Sequence, residues 1–276
     1  MKEFTIARLV LRKLRGLTYM QELNTRKRFL LKECAKLKKK VTVIQTPGGT
    51  LPLTLDMRQY SRGVNSTEGD FREISKIAET NAFRYFFTPE IRRKLKKACL
   101  FVTLGVDLND DHETGTHVEL VGVYDAQRQR FLRWTGKSYP LASQAQTLIY
   151  CQNLDSHFIK LHSHTVLVLG CHDLNMFSPR GLAQVSKQSY KGKTSNRMIA
   201  LVKKYKPTIV LQHPHRTDSP NIWAMGWIGV RRLLPSCMYS SGINYEGSPR
   251  PRRKLPDVLR GTAMGKITDW IQPDKK

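Results

Sequence analysis

Nowhere in the 276 residues is there an apolar run of about 18 or more, and the most apolar stretch, Thr165 to Gly170, is one strand long, so the sequence predicts no membrane-spanning helix. The segment from Met1 to Leu31 lacks a continuous apolar core and a small-residue cleavage site, which argues against a secretory signal, and Glu3 and Glu22 argue against a transit peptide. Cysteine is sparse: Cys34, Cys99, Cys151, Cys171 and Cys237 are odd in number, scattered, and include no CxxC pair. Reduced thiols in a cytosolic compartment are the expectation. Acid is scarce too, with 22 Asp and Glu against 47 Lys and Arg and a formal net charge of +25.

An excess of that size calls for a polyanionic partner. Nucleic acid, DNA or RNA, is the first expectation because each neutralised phosphate releases a counterion; an anionic membrane surface is the weaker one. The expected location is cytoplasmic or nucleoid-associated. Residues 1–40 carry thirteen Lys or Arg, with Ile6, Leu9, Val10, Leu14 and Leu17 at helical spacing, and read as a basic helical arm. Residues 41–99 read as a hairpin (Val41 to Ile44, then Leu51 to Leu55 around Pro47-Gly48-Gly49) and a helical subdomain. Residues 100–245 read as an α/β domain, a mixed sheet with flanking helices: strands at 100–108, 117–125 and 131–134, a helix at 142–153, a strand at 165–170, a helix at 196–205, a strand at 208–212 and a helix at 220–234. Residues 246–276 read as a basic extended tail. The phosphate-contacting candidates are Arg26, Lys27, Arg28, Lys38, Lys39, Lys40, Arg92, Arg93, Arg252 and Arg253, with Lys191 and Lys193 on a flexible loop that lacks P-loop spacing; a solvated surface is the alternative for each.

The little acid present is concentrated. Asp107, Asp110, Asp111, Glu113, Glu119 and Asp125 occur with no Lys or Arg among them, and all eight histidines lie between His112 and His215. Carboxylates so close repel one another unless a cation offsets them, although an acidic loop pairing with basic neighbours is the plainer explanation. Two apolar strands end in polar residues, Gly170-Cys171-His172-Asp173 and Gln212-His213-Pro214-His215-Arg216-Thr217-Asp218, where open α/β sheets place function. The candidate metal ligands are therefore Asp107, His172, Asp173, His213 and His215, and the candidate catalytic groups Asp107, Asp173, His215 and Asp218.

The stretch from Val166 to Asp173, followed by Ile209 to Asp218, resembles the C-terminal half of metallo-β-lactamase-fold hydrolases, a likeness that implies a bridging Asp173 and His213 or His215 as ligand, without the family's His-x-His-x-Asp-His signature. The element order over 100–234, with Asp107 near the end of its first strand, resembles the ribonuclease-H-like nuclease fold, which implies Asp107 and Asp173 as metal ligands. Together these predict a metal-dependent nuclease or phosphodiesterase using Mn²⁺, Zn²⁺ or Mg²⁺. The alternatives are a non-enzymatic nucleic-acid-binding component of a ribonucleoprotein or defence assembly, and a metal-free enzyme using His215 and Asp218 as acid and base.

Overall fold

The computed structural model describes residues 3–12, 16–110, 112, 115–217, 219–245 and 254–273. In chain order the elements are β1 (Ile6–Arg12), α1 (Tyr19–Lys36), β2 (Val41–Gln45), β3 (Leu51–Leu55), α2 (Glu68–Asn81), α3 (Pro89–Ala98), β4 (Cys99–Asp110), β5 (His117–Asp125), β6 (Arg130–Gly136), β7 (Phe158–Leu161), β8 (His164–Leu169), α4 (Pro179–Gln184), α5 (Tyr190–Tyr205), β9 (Ile209–Gln212), α6 (Asn221–Leu233), β10 (Met238–Ser241), β11 (Ile243–Tyr245), α7 (Leu255–Gly261), β12 (Ala263–Met264) and β13 (Ile267–Ile271).

These build two sheets. One has eight strands, ordered β11-β1-β2-β4-β5-β6, with β13 also paired to β1 and β3 to β4; the other is β12-β10-β9-β8-β7. Side-chain alternation explains how they stack. On β8, Val166 and Val168 face the other sheet while Leu167 and Leu169 face the helices, and β9 repeats this with Ile209 and Leu211 against Val210. Val43, Phe101, Val121 and Val123 meet Val166, Val168 and Leu211 between the sheets. Outside them, α1, α2 and α3 cover the first sheet through Leu30, Ile74 and Leu95, and α5 and α6 cover the second through Met198, Val202, Trp227 and Val230. The chain is a four-layer α/β/β/α sandwich, so the expected α/β class with mixed sheets and flanking helices holds. Among the described residues no helix is long and apolar enough to cross a membrane.

Several local expectations are corrected. The segment from Ile6 to Leu11 is a strand with parallel partners on both sides, buried along its whole length because both faces are covered, Ala7, Leu9 and Leu11 packing into one core and Ile6 into another. Its Arg8 is an internal staple: Nε donates to Asp269 Oδ1 at 2.6 Å, Nη1 to Thr262 Oγ1 at 2.9 Å and Nη2 to the Leu259 carbonyl at 3.1 Å. Nor do β2 and β3 form a hairpin; both pair in parallel with β4, at successive positions along it. The helix expected at 142–153 is one 3-10 turn at Ala142–Gln144. The tail returns to the sheet, where β13 pairs with β1 from Ile6↔Ile267 to Val10↔Ile271.

Candidate active site

The meander β4-β5 sets two carboxylates directly opposite one another, for Asp107 and Glu119 are cross-strand partners. Like charges at such a pair destabilise a sheet unless a cation lies between them. His215 supplies it. Its Nε2 is 2.5 Å from Asp107 Oδ2 and its Nδ1 3.4 Å from Glu119 Oε2. Burial works against charge on this ring, but Asp107 and Glu119 outweigh burial and raise its pKa well above the usual histidine range, which favours the imidazolium. The ring reaches them because Gly48 and Gly49 give way: a Cβ on Gly48 would meet the His213 carbonyl at 2.6 Å, and Gly49, at φ +63°, faces Asp107 Oδ2.

Glu119 has a second cation on its other oxygen. Lys137, the residue after β6, is wholly buried, and its Nζ donates to Glu119 Oε1 and to Gln144 Oε1, each at 2.6 Å. The backbone reinforces the pairing, with Lys137 N–H donating to the Glu119 carbonyl at 2.9 Å. Glu119 Oε2, although buried, accepts no hydrogen bond among the described residues. Beside it is Cys171, at the turn that follows β8; Cys171 Sγ, a Glu119 carboxylate oxygen and a His215 ring nitrogen lie within 4.8 Å of one another. The His215 backbone N–H points at Sγ from 3.5 Å, and Gln212 Nε2 holds the Cys171 carbonyl at 2.8 Å. Asp107, Glu119, Cys171 and His215 share the wall of a cavity of 620 Å³ with Leu141, His172, Ile222 and Trp223.

Asp173 plays a different part from the one its sequence position suggests. It is fully buried, its Oδ1 accepting from the Ser138 and Tyr139 N–H groups and its Oδ2 from the Gly170 N–H, all at 2.8 Å. It thereby ties the segment carrying Lys137 to the turn carrying Cys171. Burial raises its pKa while His157 and the three N–H groups pull it down. His157 carries the facing positive charge: burial disfavours it, but Cys151 and Asp173 outweigh burial and push it up to about 9. Its Nδ1–H donates to the Val168 carbonyl at 2.6 Å and its Nε2–H to Ser138 Oγ at 2.9 Å.

His213 is likewise internal. Its Nδ1–H donates to the Leu169 carbonyl at 3.2 Å, its Nε2 accepts from the Thr103 hydroxyl at 2.9 Å, and burial pushes its pKa down to about 4. His172 lines the cavity edge-on to Trp223, also pushed down to about 4, by burial and then by the Lys137 charge. The five expected metal ligands do not assemble: among the described residues, the trio of potential ligands that converges is Glu119, Cys171 and His215, and the donors of Asp173 and His213 are committed to the protein. The divalent metal is therefore withdrawn. Asp218 lies outside the described residues, so the structure places Asp107 and His215 together and Asp173 behind them. Glu119, Lys137 and Cys171 went unselected in the sequence; the available signal was a charged residue inside the otherwise apolar β5 and a thiol directly after a buried strand.

The phosphate-contacting candidates differ in their settings. Arg26 is buried, donating to the Gly49 and Thr50 carbonyls at 2.9 Å and to Glu22 at 2.6 Å. Lys27, Arg28 and Arg93 line a separate 1060 Å³ cleft between α1 and α3. Arg92 donates to Gln129 and Lys40 to Gln127, while Lys38 and Lys39 are exposed in the turn after α1. Lys191 and Lys193 lie in the first turn of α5, capped by Ser189, rather than on a flexible loop, and Lys191 rests over the Tyr139 ring. Arg252 and Arg253 lie outside the described residues.

No family model matches the sequence, and no curated protein matches it. Among solved structures the chain is similar to a carbon-nitrogen hydrolase from Helicobacter pylori G27, with a TM-score of 0.50 and 11% identity over 93% of this chain and 78% of that one. It also overlaps an amidase from Nesterenkonia sp., with a TM-score of 0.49 and 12% identity over 86% of this chain and 75% of that one. A C145A mutant of a Nesterenkonia AN1 amidase, described as from the nitrilase superfamily, gives a TM-score of 0.48 and 8% identity over the same shares. The metallo-β-lactamase and ribonuclease-H-like resemblances are overturned, and with them the nuclease; the nucleic-acid-binding component and the nucleic-acid partner, which rested on the net charge, are corrected too. The fold of this chain is the fold of the Helicobacter pylori carbon-nitrogen hydrolase.

Proposed function

We propose that the chain is a cysteine-dependent hydrolase of an amide-type carbon–nitrogen bond. The observation that carries this reading is the convergence, in one cavity wall, of the Cys171 thiol with a buried Glu119 carboxylate oxygen that no hydrogen bond occupies among the described residues. A nucleophile needs a base within reach and a charge where the oxyanion develops; this reading gives the first part to Glu119 and the second to His215. The likeness in fold to a protein described as a carbon-nitrogen hydrolase supports the same bond class.

In the proposed cycle, Cys171 Sγ attacks the amide carbonyl carbon as its proton passes to Glu119 Oε2. The carbonyl oxygen becomes an oxyanion, favoured by the His215 imidazolium, which Asp107 holds in the cavity. Glu119 then gives its proton to the nitrogen, the C–N bond breaks, and the amine leaves a thioester on Cys171. Water attacks the thioester carbon, Glu119 takes a proton from it, the C–S bond breaks, and Sγ recovers the proton. The sum is amide plus water to carboxylic acid plus amine. Lys137 touches Glu119 rather than the cavity and is a positioning residue that keeps this carboxylate aimed.

The test is release of ammonia or amine from a panel of primary and secondary amides. Turnover by the wild-type chain that falls at least about 10³-fold in Cys171→Ala and about 10²-fold or more in Glu119→Gln is expected, from the usual worth of a nucleophile and a general base. Unchanged turnover in Cys171→Ala, or none by wild type on any amide, contradicts the proposal.

A further inference from the structure

Resting on that reading, we infer that the Cys171 cavity takes an amide whose acyl group carries an apolar chain, seated against Leu141, Ile222 and Trp223. The charges at the cavity floor are already matched within the protein, Asp107 to His215 and Glu119 to Lys137. Two anions answer two cations, which leaves the floor suited to a neutral amide. Part of the wall above is apolar, formed by Leu141, Ile222 and Trp223 beside the polar Asn109, Asn175 and Arg216. Leu141 and Ile222 are each 39% exposed, among the large hydrophobic side chains that this highly charged chain leaves in contact with solvent, and they reach the same cavity from different parts of the fold. Leu141 stands just before a 3-10 turn after β6; Ile222 is in the first turn of α6, with Met225, 42% exposed, three residues further along the same helix face. Trp223, the next residue in the chain, lines the same cavity, its ring packed edge-on against His172 at 5.6 Å between centroids. Burial holds His172 neutral above about pH 4, so that part of the wall is uncharged as well. A cavity of 620 Å³ is in the range that holds a ligand much larger than a bare amide.

The proposal is tested with the whole chain and p-nitrophenyl esters of acetic, butanoic, hexanoic and octanoic acids. These activated esters acylate a reactive thiol whether or not amides are cleaved: the thioester C–S bond forms, the ester C–O bond breaks, and p-nitrophenolate leaves. The pre-steady-state burst, corrected for Cys171→Ala, should quicken with chain length by up to about fourfold per methylene, the rate equivalent of burying one CH₂, until the cavity is full. In Leu141→Asn and Ile222→Asn, both at solvent-exposed positions, the ratio of octanoyl to acetyl rates should fall at least about fivefold. Rates independent of chain length, a ratio unchanged in both variants, or no Cys171-dependent burst with any ester overturns the inference. A parallel series of primary amides with the same acyl groups separates it from the function on which it rests. Amide cleavage without chain-length preference sinks the acyl site and leaves the hydrolase. A steep ester series without any amide cleavage sinks the amide hydrolase and leaves the acyl site.

Discussion

Replacing Asp173 distinguishes a structural carboxylate from a ligand or catalytic one. In Asp173→Ala three backbone N–H groups, of Ser138, Tyr139 and Gly170, each lose an acceptor at 2.8 Å in a fully buried place. A buried donor left unpaired costs about 1–3 kcal/mol, and because the three share one carboxylate the sum is about 3–6 kcal/mol. The His157 imidazolium also loses a neighbouring negative charge. Asp173→Asn keeps Oδ1 but turns an NH₂ toward the Gly170 N–H or an equivalent donor, so about 2–4 kcal/mol is expected. Against a typical total of about 5–15 kcal/mol, the alanine variant should be marginal. Urea unfolding at pH 7, with the denaturant slope unchanged, reads both losses. Stability within about 1 kcal/mol of wild type in the alanine variant would refute the assignment of Asp173 as the tie between the Lys137 segment and the Cys171 turn.

Lys137→Met leaves Glu119 buried without its closest cation and should cost about 3–5 kcal/mol in the same unfolding assay, whereas Lys137→Met combined with Glu119→Gln should recover part of that loss; no recovery in the double variant contradicts the pairing. His213 has a lowered folded-state pKa of about 4, so the unfolded chain binds its proton near 6.5 while the native chain does not. Its contribution is complete above about pH 6.5 and is lost as pH falls toward 4, by up to about 3 kcal/mol. Wild type should therefore lose stability more steeply than His213→Leu between pH 6.5 and 4, and parallel curves would contradict a buried neutral ring.

How much of this was legible depends on the range of the interactions. The strands β4, β5, β6, β8 and β9 and the helices α5 and α6 show in the sequence because alternation and caps are local, and His117–Asp125 is a strand with the expected ends. Asp107 and His215 drew notice because strand-end polar residues are visible without a fold. The rest is long-range. Glu119 and Lys137 meet across the β5–β6 pair, and Asp107, Glu119 and His215 come together only once the two sheets are stacked. Cys171 looked like one more reduced thiol because the base beside it is 52 residues earlier in the chain, 171 minus 119. Local spacing also misled at β1, where Ile6, Leu9 and Val10 satisfy a helical stripe and a doubly buried strand equally well. Total charge misled most, for it counts Arg8 and Arg26 as free cations when both are buried and hold carbonyls and carboxylates inside the protein.

The central claim is that Cys171 forms a covalent acyl-enzyme. The most direct measurement is intact-mass spectrometry of the wild-type chain quenched in acid during turnover of an amide, followed by peptide mapping. A mass increase equal to the acyl group minus one hydrogen, located on Cys171, absent in Cys171→Ala and decaying as substrate runs out, is the predicted result. Amide turnover with no adduct on Cys171 at any time, or an adduct on another residue that persists in Cys171→Ala, would contradict the account.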